Sequence, residues 1–384
     1  MNPARVWIYD GQLNRLGQIR SASGISRSFE IQGKPSAGQF IMNMDDSLVG
    51  EIQPSQGRVV MIESDEIGLR WLGILTSYRQ KLKSGSLTCT CASFENVLKY
   101  RVMSDNYTVS GQGAGAVVGG VLDSINAINR TGIERGVIET LNVIDVNLSR
   151  RPALTAVQSV MKGAEGEWWL ETTTAPGSVW AELHVEKHRG SDVSSQIVLA
   201  ENGNATFEEC KVDGLAAAYS VVAEGGQQHQ VQPFNSTPKA SAKGTIAKAD
   251  APHGYSVGVG VSSPGPITRR EKLALVETLR TQGNVEAAAS VLQNRSRFGV
   301  TRSIRCSVWS NERTLNIPDL ACAEPGSLKR KLWNSLVPGN VVTIMSSELF
   351  ISGYKGAARI LGVQPDEERG VLKMSLQPVG GDPS

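Results

Sequence analysis

The sequence predicts a mainly-β α+β protein: two small antiparallel β-barrel domains with an α+β domain between them. Three observations point there. Gly is abundant, at 40 residues, while Phe, Trp and Tyr together reach only 5%, which suits many turns and short strands rather than a helical bundle. Apolar and polar residues alternate with period two near both ends of the chain. Small-residue and helical spacing concentrates in the middle, with a shorter helical pattern near 271–297. A length of 384 residues exceeds one ordinary core, so two or three domains are expected.

The first β-domain is read over residues 1–102. Arg5 to Tyr9 forms a short strand that ends at Asp10-Gly11, a strong turn dipeptide. Ile25, Phe29 and Ile31 share one face of an extended stretch, with Ser26, Ser28 and Glu30 on the other. Arg58 to Glu63 and Leu69 to Tyr78 are further strands. Lys83-Ser84-Gly85 then turns the chain into Leu87 to Ala92, where Leu87, Cys89 and Cys91 oppose Thr88 and Thr90.

Residues 103–206 change character and form the α+β domain. Gly113 to Asn129 is a small-residue helix carrying Val117, Val121, Ile125 and Ile128, and Val137 to Val146 reads as one strand. Pro152 suits a first helical turn. Leu154, Val157 and Met161 follow at helical spacing until Gly163. Trp168 to Thr174 and Val179 to Glu186 read as a hairpin around Ala175-Pro176-Gly177.

The second β-domain is read over 207–384. Residues 207–224 are extended. Residues 225–266 are rich in Gly, Ser, Ala, Gln and Pro and contain no Leu, so they read as a flexible linker with little to bury. The repeat Val257-Gly258-Val259-Gly260 within it is the one stretch suited to brief strand pairing. Glu271 to Thr281 and Asn284 to Arg297 read as two helices, with Asn284 as N-cap and Gly299 just past the end. Strands follow at Ser303 to Trp309, Asn340 to Met345, Leu349 to Ile351 and Ala358 to Val363. In the last, Leu372, Met374 and Leu376 alternate with Lys373, Ser375 and Gln377, the pattern of a half-buried antiparallel meander.

Bulk properties narrow the function. Formal net charge is +2, with 39 bases and 37 acids, so no strong field draws nucleic acid or an acidic membrane. The densest basic cluster, Lys329-Arg330-Lys331, is short enough to be a solvated turn. The cysteines Cys89, Cys91, Cys210, Cys306 and Cys322 are odd in number and fit no zinc spacing, which suggests folding in a reducing cytoplasm. The N-terminus carries no basic-then-apolar secretory pattern. The most apolar window, Ala114 to Ile125, is too short to span a bilayer and is interrupted by Asp123; no stable membrane insertion is expected.

Two segments invite chemistry. Gly111-Gln112-Gly113-Ala114-Gly115 suggests a phosphate loop, but no Gly-Lys-Ser/Thr follows and position 116 is Ala where a dinucleotide fingerprint needs Gly. A loop entering a helix that packs through small residues explains it better. On a strand, His184, Glu186 and His188 would share a face and could hold a metal. A polar, solvent-facing strand side that also carries Trp180 and Glu182 accounts for the same pattern. His229 and His253 fall in the linker, no Gly-x-Ser-x-Gly elbow exists, and no cysteine has a nearby His. The expectation is therefore no catalytic residue, no cofactor and no metal.

The order of parts resembles the baseplate hub proteins of contractile-tailed bacteriophages, of the Mu-like and late-control-protein group. The resemblance rests on "SRSFEIQGKPSAGQFIMNM", "GRVVMIE" and "RWLGILTSYRQKLKSGSLTCTCASFENVL" at the start. It continues with "RPALTAVQSVMKGAEGEWWLE" in the middle and "VPGNVVTIMSSELFISGYKGAARILGVQPDEERGVLKMSLQPV" at the close. It runs nearly the full length as architecture and pattern, with no single diagnostic motif. The segment "NERTLNIPDLACAEPGSLKRKLWNSL" is longer than the family layout implies. The resemblance implies tail-tube-like barrels and a homotrimer that forms a pseudo-sixfold ring. It further implies tail tube or distal tail proteins, a central spike and wedge proteins as partners, with viral DNA passing through without specific binding. Such a protein is assembled in the bacterial cytoplasm, resides in the virion tail and acts by geometry, without an active site. A tail-tip hub of a non-contractile phage, a secretion-system spike and a carbohydrate-binding β-protein remain alternatives. A peptidoglycan hydrolase would need a lytic domain that the sequence does not display.

Overall fold

The computed structural model describes residues 4–31, 36–64, 68–164, 166–201, 203–213, 220–225, 245–247, 255–260, 271–276, 301–309, 335–350, 353–366 and 368–379. The first part contains β1 (Arg5–Tyr9), β2 (Arg15–Ile19), β3 (Ser23–Arg27), β4 (Phe29–Glu30), β5 (Ala37–Asn43), β6 (Val59–Glu63), β7 (Arg70–Lys81), β8 (Ser86–Ser93) and the short helix α1 (Asn96–Lys99). The middle contains β9 (Thr108–Gly113), α2 (Ala114–Ile128), β10 (Ile133–Ile138), β11 (Val143–Asn147), α3 (Ala153–Gly163), β12 (Glu167–Ala175) and β13 (Ser178–Glu186). Then come β14 (Val198–Ala200), β15 (Ala205–Asp213), β16 (Ser220–Gly225), β17 (Thr245–Ala247), β18 (Tyr255–Gly260), β19 (Glu271–Val276), β20 (Thr301–Trp309), β21 (Val341–Ser346), β22 (Tyr354–Asp366) and β23 (Val371–Pro378).

The first sheet has seven strands in the order β2-β1-β6-β7-β8-β5-β3. Its two edge strands, β2 and β3, are consecutive in sequence. The four steps from Ile19 to Ser23 reach at most roughly 14 Å, whereas the edges of a flat seven-stranded sheet lie about 29 Å apart. The sheet must therefore curl toward a barrel. The second large sheet runs β14-β21-β22-β23-β20-β15 and obeys the same argument. From Ala200 to Ala205 the chain reaches at most roughly 18 Å, against about 24 Å between flat edges, and a bridge between Glu201 and Ala205 links the two edges. Phe40, Met42, Leu87, Cys89 and Cys91 fill the first curl. Leu199, Ile304, Cys306, Ile344, Ile360 and Leu376 fill the second.

β6 reads Val-Val-Met-Ile without alternation because both of its faces are covered. Val60 and Ile62 point into the first barrel, while Val59 and Met61 join the core of the middle unit. That core packs α2 (Val117, Val121, Ile125) and α3 (Leu154, Val157, Met161) with Leu183 and Val185 of a three-stranded sheet ordered β10-β13-β12. Gly115 at the start of α2 explains the glycine-rich stretch. A Cβ there would lie 2.0 Å from the Glu139 carbonyl oxygen, so the segment admits a close helix contact.

Several expectations change. The stretch around Ile25 to Ile31 is two strands: β3 stays in the first sheet, while β4 crosses to pair with β22, Phe29 opposite Val363 and Glu30 opposite Gly362. Val137 to Val146 is divided between β10, parallel to β13, and β11, paired with β9. β14 belongs to the second barrel's sheet although it lies before residue 207. Glu271 to Val276 is a strand, β19, rather than helix, because it pairs in parallel with β16 residue for residue; six residues are too few for the period to decide. Residues 277–297 lie outside the described residues. Within 225–266, β17 and β18 are paired strands, and the Val257–Gly260 repeat lies antiparallel to β16; the rest of the expected linker lies outside the described residues. Leu349 and Phe350 form a turn, with Phe350 at φ 57°.

Candidate functional site

His184 lies on β13 but does not form the site expected of it. Its side chain is buried rather than solvent-facing. It stacks on Trp169, its register partner on β12, with centroids 5.3 Å apart and planes 9° from parallel. β10 bulges between Arg135 and Ile138, and the Val137 N–H at that irregularity donates to His184 Nδ1 at 3.2 Å. Gly136 is needed above the ring, since a Cβ there would lie 2.6 Å from Nε2. Glu186 is half-buried opposite Glu167, and His188 is exposed beyond the end of β13. Strand alternation therefore does not join His184, Glu186 and His188. The groups that approach Nε2 come instead from the cross-strand register: Glu171 Oε2 at 3.5 Å and Glu182 Oε2 at 3.8 Å.

Protonation chemistry argues against a metal at this nitrogen. An Nδ1 that accepts a backbone N–H carries the lone pair, so the neutral ring bears its proton on Nε2. That tautomer has no lone pair to offer at Nε2. Among the described residues, no three His, Cys, Asp or Glu side chains are gathered to hold a metal ion. The buried thiols are inert in the opposite sense: burial pushes Cys89 up to about 12 and raises Cys91 and Cys306 further, away from thiolate reactivity. Cys322 and Lys329-Arg330-Lys331 lie outside the described residues.

The most constrained polar site is the junction of the three units. Glu167 at the start of β12 accepts two 2.7 Å hydrogen bonds from the Arg359 guanidinium of β22, from Nη1 and Nη2. It also accepts the Arg189 N–H at 2.9 Å. Arg359 further donates to the carbonyls of Arg189 and Gly339. Arg189 donates to the Glu30 carbonyl at 2.8 Å and lies 5.0 Å over Trp169. Gly190, at φ 88°, passes so close that a Cβ would sit 2.4 Å from the Gly339 carbonyl carbon. Beside this latch is a cavity of about 50 Å³ lined in part by Ser36, Arg70, Glu95 and Arg189. Glu95 Oε2 is fully covered and has no hydrogen-bond partner, and burial raises its carboxyl above the usual range. Sequence reasoning missed the latch because Glu167 and Arg359 stand 192 positions apart and neither sits in a local motif.

No protein-family model matches the sequence, and no curated protein matches it. Solved structures do. A tail protein from Neisseria meningitidis MC58 superposes with a TM-score of 0.58 at 14% identity, covering 98% of this chain and 97% of that one. The two chains share a fold over almost their whole lengths. The 43 kDa tail protein of prophage MuSo2 from Shewanella oneidensis gives a TM-score of 0.54 at 11% identity, with 97% and 98% covered. The prophage tail protein gp18 from Listeria monocytogenes EGD-e gives 0.53 at 8% identity, with 99% and 95% covered. At such identities the likeness is one of fold, and it extends over both barrels and the unit between them. Among the described residues, no helix is long and apolar enough to cross a membrane.

Proposed function

We propose that this chain is the structural hub of a phage tail baseplate: a homotrimeric ring that joins the tail tube to the central spike and nucleates baseplate assembly. The observation that carries the reading is architectural. One chain supplies two curled sheets joined where β4 crosses to pair with β22, and the Glu167–Arg359 latch ties the middle unit to the second of them. Three such chains present six barrels, the number needed to match a sixfold tube on one side and a threefold spike on the other. Rigidity suits an adaptor, because a bidentate, largely buried charge pair holds its orientation better than a mobile surface contact. The fold shared with phage tail proteins over almost the whole chain supports a tail role. The chemistry expected of such a part is positional, and the buried, unreactive thiols agree with that. The partners in this reading are a tail tube or distal tail protein, a spike and wedge proteins, in the virion tail.

Multi-angle light scattering on the purified chain, followed by cryo-EM of the assembled tail tip, tests the reading. A trimer, with two barrels per chain lining one ring, is the expected result. A chain that stays monomeric beside its tail partners, or that forms a ring of another order, would remove the hub assignment.

A further inference from the structure

Two patches of like charge stand out among the described residues. The first is an acidic row. Glu134 on β10 is registered with Glu182 on β13, which is registered with Glu171 on β12, so three carboxylates cross one sheet face side by side. Adjacent strands lie about 4.8 Å apart, and the row spans roughly 10 Å. Like charges directly opposite one another destabilise a sheet. Glu134 and Glu171 are exposed. Glu182 receives only the Trp180 Nε1 hydrogen, at 3.2 Å. His184 Nε2 points into the row from a side chain that is only 10% exposed, yet it completes no hydrogen bond there. Arg189, whose field reaches Glu171, is already engaged by the Glu30 carbonyl.

The second patch is basic. Beyond Ile74, β7 loses its partner β6 and continues paired only with β8. This overhang and its tip carry Arg79, Lys81 and Lys83, all exposed, with no acid between Thr76 and Ser93. Arg79 and Lys81 share the outer face about 7 Å apart, and Lys83 follows at the tip. Among the described residues, no carboxylate forms an ion pair with any of the three, while Leu82 beside them is 82% exposed. Basic side chains on an open strand edge also discourage unwanted strand addition, a role that depends on charge but not on its sign.

We propose that the β7–β8 overhang of one copy docks on the Glu134–Glu182–Glu171 row of the next copy. The two patches are opposite in sign and carry three charges each. They lie on different units of the chain, so their pairing is head-to-tail, the kind that closes a ring. The inference rests on the ring reading above and names the contact that would build it.

Charge reversal on the full chain is the test, read by light scattering over a concentration series. Lys81→Glu with Lys83→Glu, or Glu134→Lys with Glu171→Lys, should each raise the half-assembly concentration roughly tenfold or more. The wild-type midpoint should rise with added salt. A chain carrying all four reversals should assemble again near the wild-type concentration. All four substituted positions are exposed strand or turn positions, and unchanged circular dichroism checks folding. An oligomer of wild-type order that ignores both reversals overturns the docking and leaves the ring in place. A wild-type chain that never assembles overturns the ring reading itself, and the docking with it.

Discussion

Removing the Glu167 carboxylate should be among the most costly single changes at the junction. In the native chain it neutralises Arg359 through two 2.7 Å bonds and satisfies the Arg189 N–H at 2.9 Å. The Glu167 side chain is only 9% exposed and that of Arg359 21%, so solvent screens the pair weakly. Breaking a buried pair by removing one member costs about 3–5 kcal/mol, because the remaining charge stays desolvated. Arg359 retains the Gly339 and Arg189 carbonyls as acceptors, which puts Glu167→Ala near 3 kcal/mol by that range. For a chain of 384 residues melting as one unit, unfolding entropy converts this to a fall in Tm of about 4 °C. Arg359→Ala and the double variant complete a thermodynamic cycle read by urea denaturation. The double variant should cost much less than the sum of the single variants, since the second deletion removes the charge stranded by the first. Additive losses would show that the two side chains act independently, and the latch argument would fail.

Two further outcomes follow from buried groups. Burial raises the Glu95 carboxyl above its unfolded value, so the folded state prefers the protonated form. That stability is fully present below the ordinary carboxylate range near pH 4.3 and is lost as pH rises through the raised folded value. Glu95→Gln should therefore raise Tm relative to wild type at pH 8, with the gain fading toward pH 4 in a thermal melt series; a pH-independent difference would contradict the burial account. His184→Ala should cost about 2–4 kcal/mol by chemical denaturation, from the Val137 N–H left without its acceptor and the lost packing on Trp169. A cost below about 1 kcal/mol, within the range of an ordinary surface change, would mean that the imidazole does not support the β10 irregularity.

Local pattern carried much of this protein. Alternation in Leu87 to Ala92 and in Leu372 to Gln377 marks β8 and β23, and helical spacing bounded by Pro152 and Gly163 marks α3. These signals are readable because a half-buried element must repeat its apolar residues at the period of its own geometry. Short segments carry too few periods. Glu271 to Val276 suits helix and strand alike by composition, and pairing with β16 made it a strand.

His184 illustrates the division between sequence and fold most clearly. Its sequence neighbours suggested Glu186 and His188 as companions along one strand. Cross-strand register instead put Trp169 against it and brought Glu171 and Glu182 toward its ring. Glu167 and Arg359 lie on elements whose local patterns are ordinary, so their pairing depended on where β12 and β22 come to rest. A strand's period is a property of the chain, and a single sequence can state it. Register, sheet order and the meeting of distant charges depend on which edges find each other in three dimensions, and only the tertiary structure decided them.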